Sequence, residues 1–399
     1  MTNVQMKEMM TILADDITGA AEIAGVCLRC GITVSFGINK LPTATTQARV
    51  IATDSRSMSA QEARMLHREL AEAIGAAPSG SVFKKTDSVL RGFVVDELDE
   101  WMTVLGFDEA VLQPSNPSIG RCIVDGRYYI DGVELHETDF SRDSEFPSWT
   151  SSVEGLLMER NGNHTSRKIY TGASLPLKKG IHVPNCQSEE DLKKSVFKNN
   201  PAILHAGSAA FFAVWLEVVH DLIPKPQIQT ANPLQGRFLM VCGSKHTRSE
   251  KYLLSSKKKG LAVAEFPEEL LQEVITEEHL NEWADNQAEF WGRTGQMIVS
   301  QGHRKVTFPG HARALRNRLA EVVIRMLEQC AVGELLLEGG ATTFTLLEKN
   351  GWTMLTPMHE FSPGIVRMAI VGKPNLFLTL KPGSYPWPTW EDTINDSNE

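Results

Sequence analysis

The chain has 399 residues, 42% of them hydrophobic, and a formal net charge of -9. At roughly 100–200 residues per domain, that length suits two domains with full apolar cores, and an acidic balance without a basic stripe excludes the usual footprint of a nucleic-acid binder. No apolar run reaches the ~20 residues of a membrane span and the first eight residues hold no signal-peptide core, so the expected location is cytoplasmic, with the sequons at Asn163 and Asn395 idle.

Residues 10–14, Met-Thr-Ile-Leu-Ala, read as a strand that runs into Asp15 and Asp16 at the start of a helix over 18–30, closed by Gly31. One Asp there is an ordinary N-cap. Two adjacent carboxylates outside the carboxyl end of a strand mark a place where a polar substrate or a metal is handled. Strands follow at 32–37 and 50–53, and the capping box Ser59-Ala-Gln-Glu62 opens a helix to residue 75. A strand at 81–85, a helix at 93–105 and a strand at 110–113 continue an alternation that predicts a parallel sheet covered by helices.

Each of these strands ends in polar residues: Asp15-Asp16-Ile-Thr18, Asp54-Ser-Arg56, Lys85-Thr86-Asp87-Ser88 with Arg91, and Gln113-Pro-Ser115-Asn116. Turn chemistry accounts for any one of them. Their shared position predicts a single polar rim. Arg56 and Arg91 offer planar forks for a carboxylate and Lys85 a point charge, while Asp16 and Asp87 suit sugar hydroxyls or the proton of an attacking hydroxyl. The plainer alternative is a set of internal salt bridges at a sheet edge. Residues 114–150 read as turns around a hairpin, in the place of a flap, and a further strand at 202–205 leads through Ala206-Gly207-Ser208 into an apolar helix.

Residues 223–236 carry three prolines and no periodicity, the expected domain boundary. The expected domains are therefore 1–222 and 237–385, joined by that linker and followed by a surface tail over 386–399. Beyond the linker, strands are expected at 238–242, 297–300, 334–337 and 376–380, with a long helix over 312–329. Gly243-Ser244 and Gly339-Gly340 sit where a strand turns into a helix, a setting that lets backbone N–H groups meet a phosphate. Neither a Walker A sequence nor Gly-x-Gly-x-x-Gly is present, so the glycine pairs alone read equally as tight turns.

Cys27 and Cys30 share a helical stripe with Ile23 and Val26, which makes them core residues before half of a zinc site, since a structural zinc site takes four ligands. A haloacid-dehalogenase phosphatase needs a second Asp two positions after its nucleophile. Ile17 or Thr18 stands there, which disfavours that reading.

Asp15-Asp16-Ile-Thr18-Gly19-Ala20, Asp54-Ser-Arg56-Ser57, Lys84-Lys85-Thr-Asp87-Ser88-Val-Leu90-Arg91-Gly92, Gly120-Arg121, Gly243-Ser244, Gly339-Gly340-Ala-Thr342 and Leu380-Lys381-Pro-Gly383 together resemble the four-carbon acid sugar kinases. The resemblance implies ATP-dependent phosphorylation of the terminal hydroxyl of D-threonate, D-erythronate or a 3-oxo-tetronate. It also implies an α/β protein of two domains, each a largely parallel sheet covered by helices, with the active-site cleft between them. Carried over by position, Asp16, Arg56, Lys85, Thr86, Asp87 and Ser88 are substrate contacts, joined by Arg91. Ser244, Gly339, Gly340, Ala341, Thr342 and Gly383 are ATP contacts. Lys245-His246, Ala341 and Gly383-Ser-Tyr-Pro depart from the family pattern, all in the nucleotide half. The expected roles are Asp16 as base, Lys85 as stabiliser of the transferred group, Arg56 as carboxylate anchor and Asp15 as a Mg²⁺ ligand. The expected partners are a small sugar acid and ATP, with no nucleic acid and no membrane, and a homodimer is left open. A non-catalytic sugar-acid sensor is the alternative that keeps only the first rim.

Overall fold

The computed structural model describes residues 9–76, 80–143, 146–160, 167–172, 178–198, 200–226 and 236–388. Asn163, Asn395, most of the proline-rich segment and the tail from residue 389 lie outside them. The chain divides into two compact units, Met1–Lys225 and Pro226–Glu399.

In the first unit, strands β1 (Met10–Ala14), β2 (Val34–Ile38), β3 (Ala48–Ala52), β4 (Val82–Lys85) and β5 (Glu109–Gln113) alternate with helices α1 (Ile17–Arg29), α2 (Ala60–Ala76) and α3 (Val94–Leu105). A small antiparallel sheet of β6 (Arg121–Val124), β7 (Arg127–Ile130) and β8 (Val133–Glu134) comes next, where a hairpin was expected. Then follow α4 (Val153–Glu159), β9 (Ile169–Thr171), β10 (Gly180–Val183), α5 (Glu189–Lys194), β11 (Ile203–Gly207) and α6 (Ala209–His220). The main strands pair in parallel in the order β2-β3-β1-β4-β11-β5-β10-β9. Strands β1 to β3 are buried along their whole length, as strands of a parallel sheet covered on both faces are, whereas β4 ends in the buried Lys84 and Lys85. Trp101 and Leu98 of α3 pack with Leu112, Leu13 and Leu70 at the centre of this core.

Register sets the level of the strand ends. Ala14 lies opposite both Ala52 and Lys85, and Gly207 lies opposite Lys85 and Gln113. The residues that follow these strands therefore emerge at one height, which makes the rim.

In the second unit, β12 (Phe238–Cys242), α7 (Thr247–Lys258), β13 (Val263–Glu265), α8 (Glu277–Thr294), β14 (Gln296–Ser300), α9 (His311–Gln329), β15 (Glu334–Glu338) and α10 (Gly340–Lys349) precede β16 (Met354–Ser362), β17 (Ile365–Ile370) and β18 (Lys373–Lys381). The order is β13-β14-β12-β15-β18-β17-β16, parallel up to β18 and antiparallel beyond it. Cys242 pairs with Glu338, and Glu338 with Lys381, so these ends are flush as well. The start of the expected surface tail is corrected: Trp387 is 8% exposed, packs in the core with Phe238 and Met240, and donates its indole N–H to Glu338 Oε2 at 2.7 Å.

Among the described residues no helix is long and apolar enough to cross a membrane. Cys27 on α1 and Cys30 at its C-cap are free and buried, their thiols pushed up by burial, Cys30 to about 11, as core residues are.

Candidate active site

The rim of the first unit is built around one guanidinium. Arg56, on the short turn after β3, reaches Asp16 at 2.5 Å, Asp87 at 3.3 Å and Asp15 at 3.8 Å. Asp16 is the N-cap of α1: its Oδ1 accepts from Gly19 N at 3.0 Å and its Oδ2 from the Thr18 hydroxyl. Asp87 accepts the backbone N–H groups of Val89 and Arg91, both at 3.1 Å, and the fork of Arg91 at 3.1 and 2.8 Å. With its oxygens engaged this way, Asp87 organises its own loop. Lys85 is 4% exposed and donates to Thr86 O at 2.9 Å, with Glu22 at 3.9 Å.

These contacts separate the carboxylates. Burial alone would raise all three, but Arg56, Lys85 and Thr18 hold Asp16 below its ordinary value, and Arg91 with Arg56 holds Asp87 far below it. Asp15, 1% exposed, is instead raised by burial to about 6, against the pull of Arg56 and Lys84. An acid whose folded value lies above its unfolded one stabilises below the unfolded pKa, and this contribution is lost as pH rises through the folded pKa. Asp15→Asn, which cannot ionise, should therefore gain stability relative to the parent as pH rises from 4 to 7, read by urea unfolding at each pH. A pH-independent difference would place the cost elsewhere.

Asp15 also answers the question of Mg²⁺. Its Oδ2 accepts from Asp87 N at 3.2 Å beside a guanidinium, and its Oδ1 is buried without a partner. A Mg²⁺ ion keeps several waters, whereas Asp15 is 1% exposed and lies 3.8 Å from a guanidinium. Among the described residues no group of three or more His, Cys, Asp or Glu could hold a metal ion. The residues present do not fit Asp15 as a Mg²⁺ ligand.

Behind the rim lies a charged group that the sequence reading missed. Neighbouring strand residues face opposite sides of a sheet, so while Lys85 meets Glu22 of α1, Lys84 meets Glu97 of α3 at 2.7 Å. Glu97 also accepts from Ser55 Oγ at 2.6 Å, and His67, whose buried ring is pushed down to about 3, faces it neutral at 3.5 Å. Ser55 precedes Arg56, so this pair steadies the turn that carries the guanidinium. The available signal was Glu97 on the apolar face of a helix otherwise filled by Val94, Leu98 and Trp101. Lys84→Met should cost about 3–5 kcal/mol, the usual result of leaving a buried charge unpaired, and Lys84→Met/Glu97→Leu should recover most of it in urea unfolding. A double variant as unstable as the single one would deny the coupling.

The second unit gathers the other candidate residues. Gly243-Ser244 follows β12, Gly339 follows β15, Gly340, Ala341 and Thr342 form the first turn of α10, and Gly383 follows β18. The glycines lie so close to neighbouring hydroxyl side chains that a Cβ on Gly243 would lie 2.0 Å from Thr342 Oγ1, and one on Gly383 would lie 2.5 Å from Ser244 Oγ. The N-terminus of α10, whose cap Gly339 supplies no side-chain hydrogen bond, begins at these residues, a setting that fits the phosphates of ATP. Below it, buried Glu338 is held by Lys381 at 3.4 Å, by the Ser249 hydroxyl and by Trp387. Lys245, one of the departures, donates to Gly302 O at 2.8 Å and Arg304 O at 3.2 Å and so ties two loops together.

The rim thus gathers carboxylates, arginines and a lysine at the ends of parallel strands. Residues 10–213 match the family described as the sugar-binding N-terminal domain, and the chain belongs to that family. It is 30% identical to a D-threonate kinase of Salmonella typhimurium over 151 residues, a match covering 37% of this chain and 36% of that protein. A 3-oxo-tetronate kinase of Haemophilus influenzae is 22% identical over 94% of this chain and 97% of its own. These relatives bear out the resemblance to the four-carbon acid sugar kinases. The fold is also that of a solved Haemophilus influenzae protein of the DUF1537 family, with a TM-score of 0.67 and 17% identity over 96% of this chain and 98% of that one. A solved Salmonella typhimurium protein carrying the provisional description of tRNA synthase has a TM-score of 0.73 at 18% identity, over 96% of this chain and 97% of that one.

Proposed function

We propose that the protein is an ATP-dependent kinase of the terminal hydroxyl of a four-carbon sugar acid, forming the 4-phosphate. The observation that carries this reading is the gathering of two chemically different sets of residues, acid-handling groups on one rim and a glycine-lined cradle on the other. The kinase names of the relatives support reading the first set as the acid site and the second as the nucleotide site. ATP, when bound, supplies the phosphoryl group, and ADP is the leaving product.

Asp16 accepts the proton of the attacking hydroxyl. Its low pKa is no obstacle, because a loose phosphoryl-transfer transition state asks for alignment more than for strong basicity. Lys85 places positive charge beside the transferred group. Arg56 is given a different role from the expected carboxylate anchor: spent on three carboxylates, it fixes Asp16 and, with Arg91 and Lys85, offsets the charge of the cluster. Ser244, Gly339, Gly340, Ala341, Thr342 and Gly383 bind the phosphates.

Calorimetric titration with a non-hydrolysable ATP analogue tests the reading. Binding is expected in the parent, and Gly383→Ala, whose Cβ would strike Ser244, should weaken it about tenfold or more, the effect of losing one charge-assisted hydrogen bond. A parent that binds no nucleotide would contradict the proposal.

A further inference from the structure

We propose that Arg121 is the residue that grips the carboxylate of the sugar acid, an assignment that rests on the kinase reading above. The arginines around the first rim divide by what they already hold. Arg56 holds three carboxylates. Arg91 forks onto Asp87 and reaches Asp143 at 3.2 Å. Arg160 donates to Leu90 O, Phe146 O, Pro147 O and Ser148 Oγ. Arg121 alone of these four has no carboxylate or carbonyl partner for its side chain among the described residues, and the Ser88 hydroxyl is the one hydrogen-bond acceptor its guanidinium meets there. A guanidinium has five N–H donors in a planar fork matched to a carboxylate, and most of this one remain unspent.

Its position is built, not incidental. The start of β6 is tied to the loop after β5 by Arg121 N to Asn116 O at 3.0 Å and Asn116 N to Arg121 O at 2.9 Å. Arg91 and Arg121 lie against the same ring, Phe140, at 5.7 and 5.8 Å from its centroid. Ser88, which receives Arg121, directly follows Asp87 of the carboxylate cluster, and Ser88 O is itself held by the Tyr128 hydroxyl at 2.5 Å. An unbalanced, half-buried cation one residue from that cluster calls for an organic anion. A sugar acid whose carboxylate meets Arg121 can extend its chain toward the cluster that contains Asp16. Discrimination between an acid and the corresponding neutral polyol then falls to Arg121.

The test is steady-state kinetics of the parent, Arg121→Ala and Arg121→Lys, with D-threonate, D-erythronate, 3-oxo-tetronates and the neutral tetritols as acceptors, each protein checked by thermal melting. In Arg121→Ala the KM for the acid should rise about 10–100-fold, the span of a hydrogen-bonded charge contact, while the KM for ATP stays put. Its preference for acid over tetritol should vanish, and Arg121→Lys should recover part of the affinity. Should Arg121→Ala fail to fold, the same KM shift read in Arg121→Lys decides the matter. An active parent whose variants keep the acid KM would overturn the role of Arg121 alone. A parent inactive on every acid would overturn the kinase reading and this assignment with it.

Discussion

Asp16→Asn should lower turnover of the C4 acid by about 10²-fold or more, the usual size of general-base catalysis, with nucleotide binding unchanged. The substitution isolates the chemistry from the fold. Asn is as good an N-cap as Asp, so the bond from Gly19 N survives and α1 keeps its start. Arg56 loses one of three carboxylates and retains the other two. Melting temperature should therefore move little while kcat collapses, and the KM for ATP should hold. If turnover survives, the base is another group, and Asp15, with its value near 6 and an unpartnered oxygen, is next to be examined.

Arg56→Gln should be the most damaging single change at this rim. It leaves Asp15, Asp16 and Asp87 side by side without the guanidinium that balances them, and removing the counter-charge of a buried ion pair costs about 3–5 kcal/mol. Arg91 still holds Asp87, so the loss should fall on Asp15 and Asp16, whose carboxyls must then rise and take up protons. The milder Arg56→Lys separates two roles. A point charge cannot reach three carboxylates in one plane, so a hub should lose kcat with little change in the KM for the acid, whereas a substrate anchor should lose KM first. Kinetics of this variant, read beside those of Arg121→Ala, assign each arginine.

Much of this arrangement was legible before any coordinates. The alternation of the first third gave the parallel sheet because β1 and β3 are short, mainly apolar and bounded by turn residues, and flush register did the rest. Less could be read where side chains are small or polar. Helix α8 buries Leu280, Ala284, Ala288 and Trp291 at regular helical spacing, but two alanines give a faint apolar stripe amid charged neighbours. Strands β16 and β17 went unread because one-sided antiparallel strands alternate and carry residues such as His359 and Glu360. At the site, sequence could name Arg56, Asp87 and Arg91 but not who holds whom. Apart from the local pair of Arg91 with Asp87, that depends on contacts between residues 31 or more positions apart, such as Arg56 with Asp87 and Arg121 with Ser88. Lys84 and Lys85 show the limit well: adjacent and identical, they differ only in which face of the sheet each serves.

The central claim is tested most directly by ADP release from the purified protein supplied with ATP and, in turn, D-threonate, D-erythronate and 3-oxo-tetronates, with the product identified by phosphorus NMR. The account predicts acid-dependent ADP release with at least one of them and a phosphate on the terminal oxygen. ADP release no greater than without acid across the whole panel, or phosphate on any other oxygen, would contradict it.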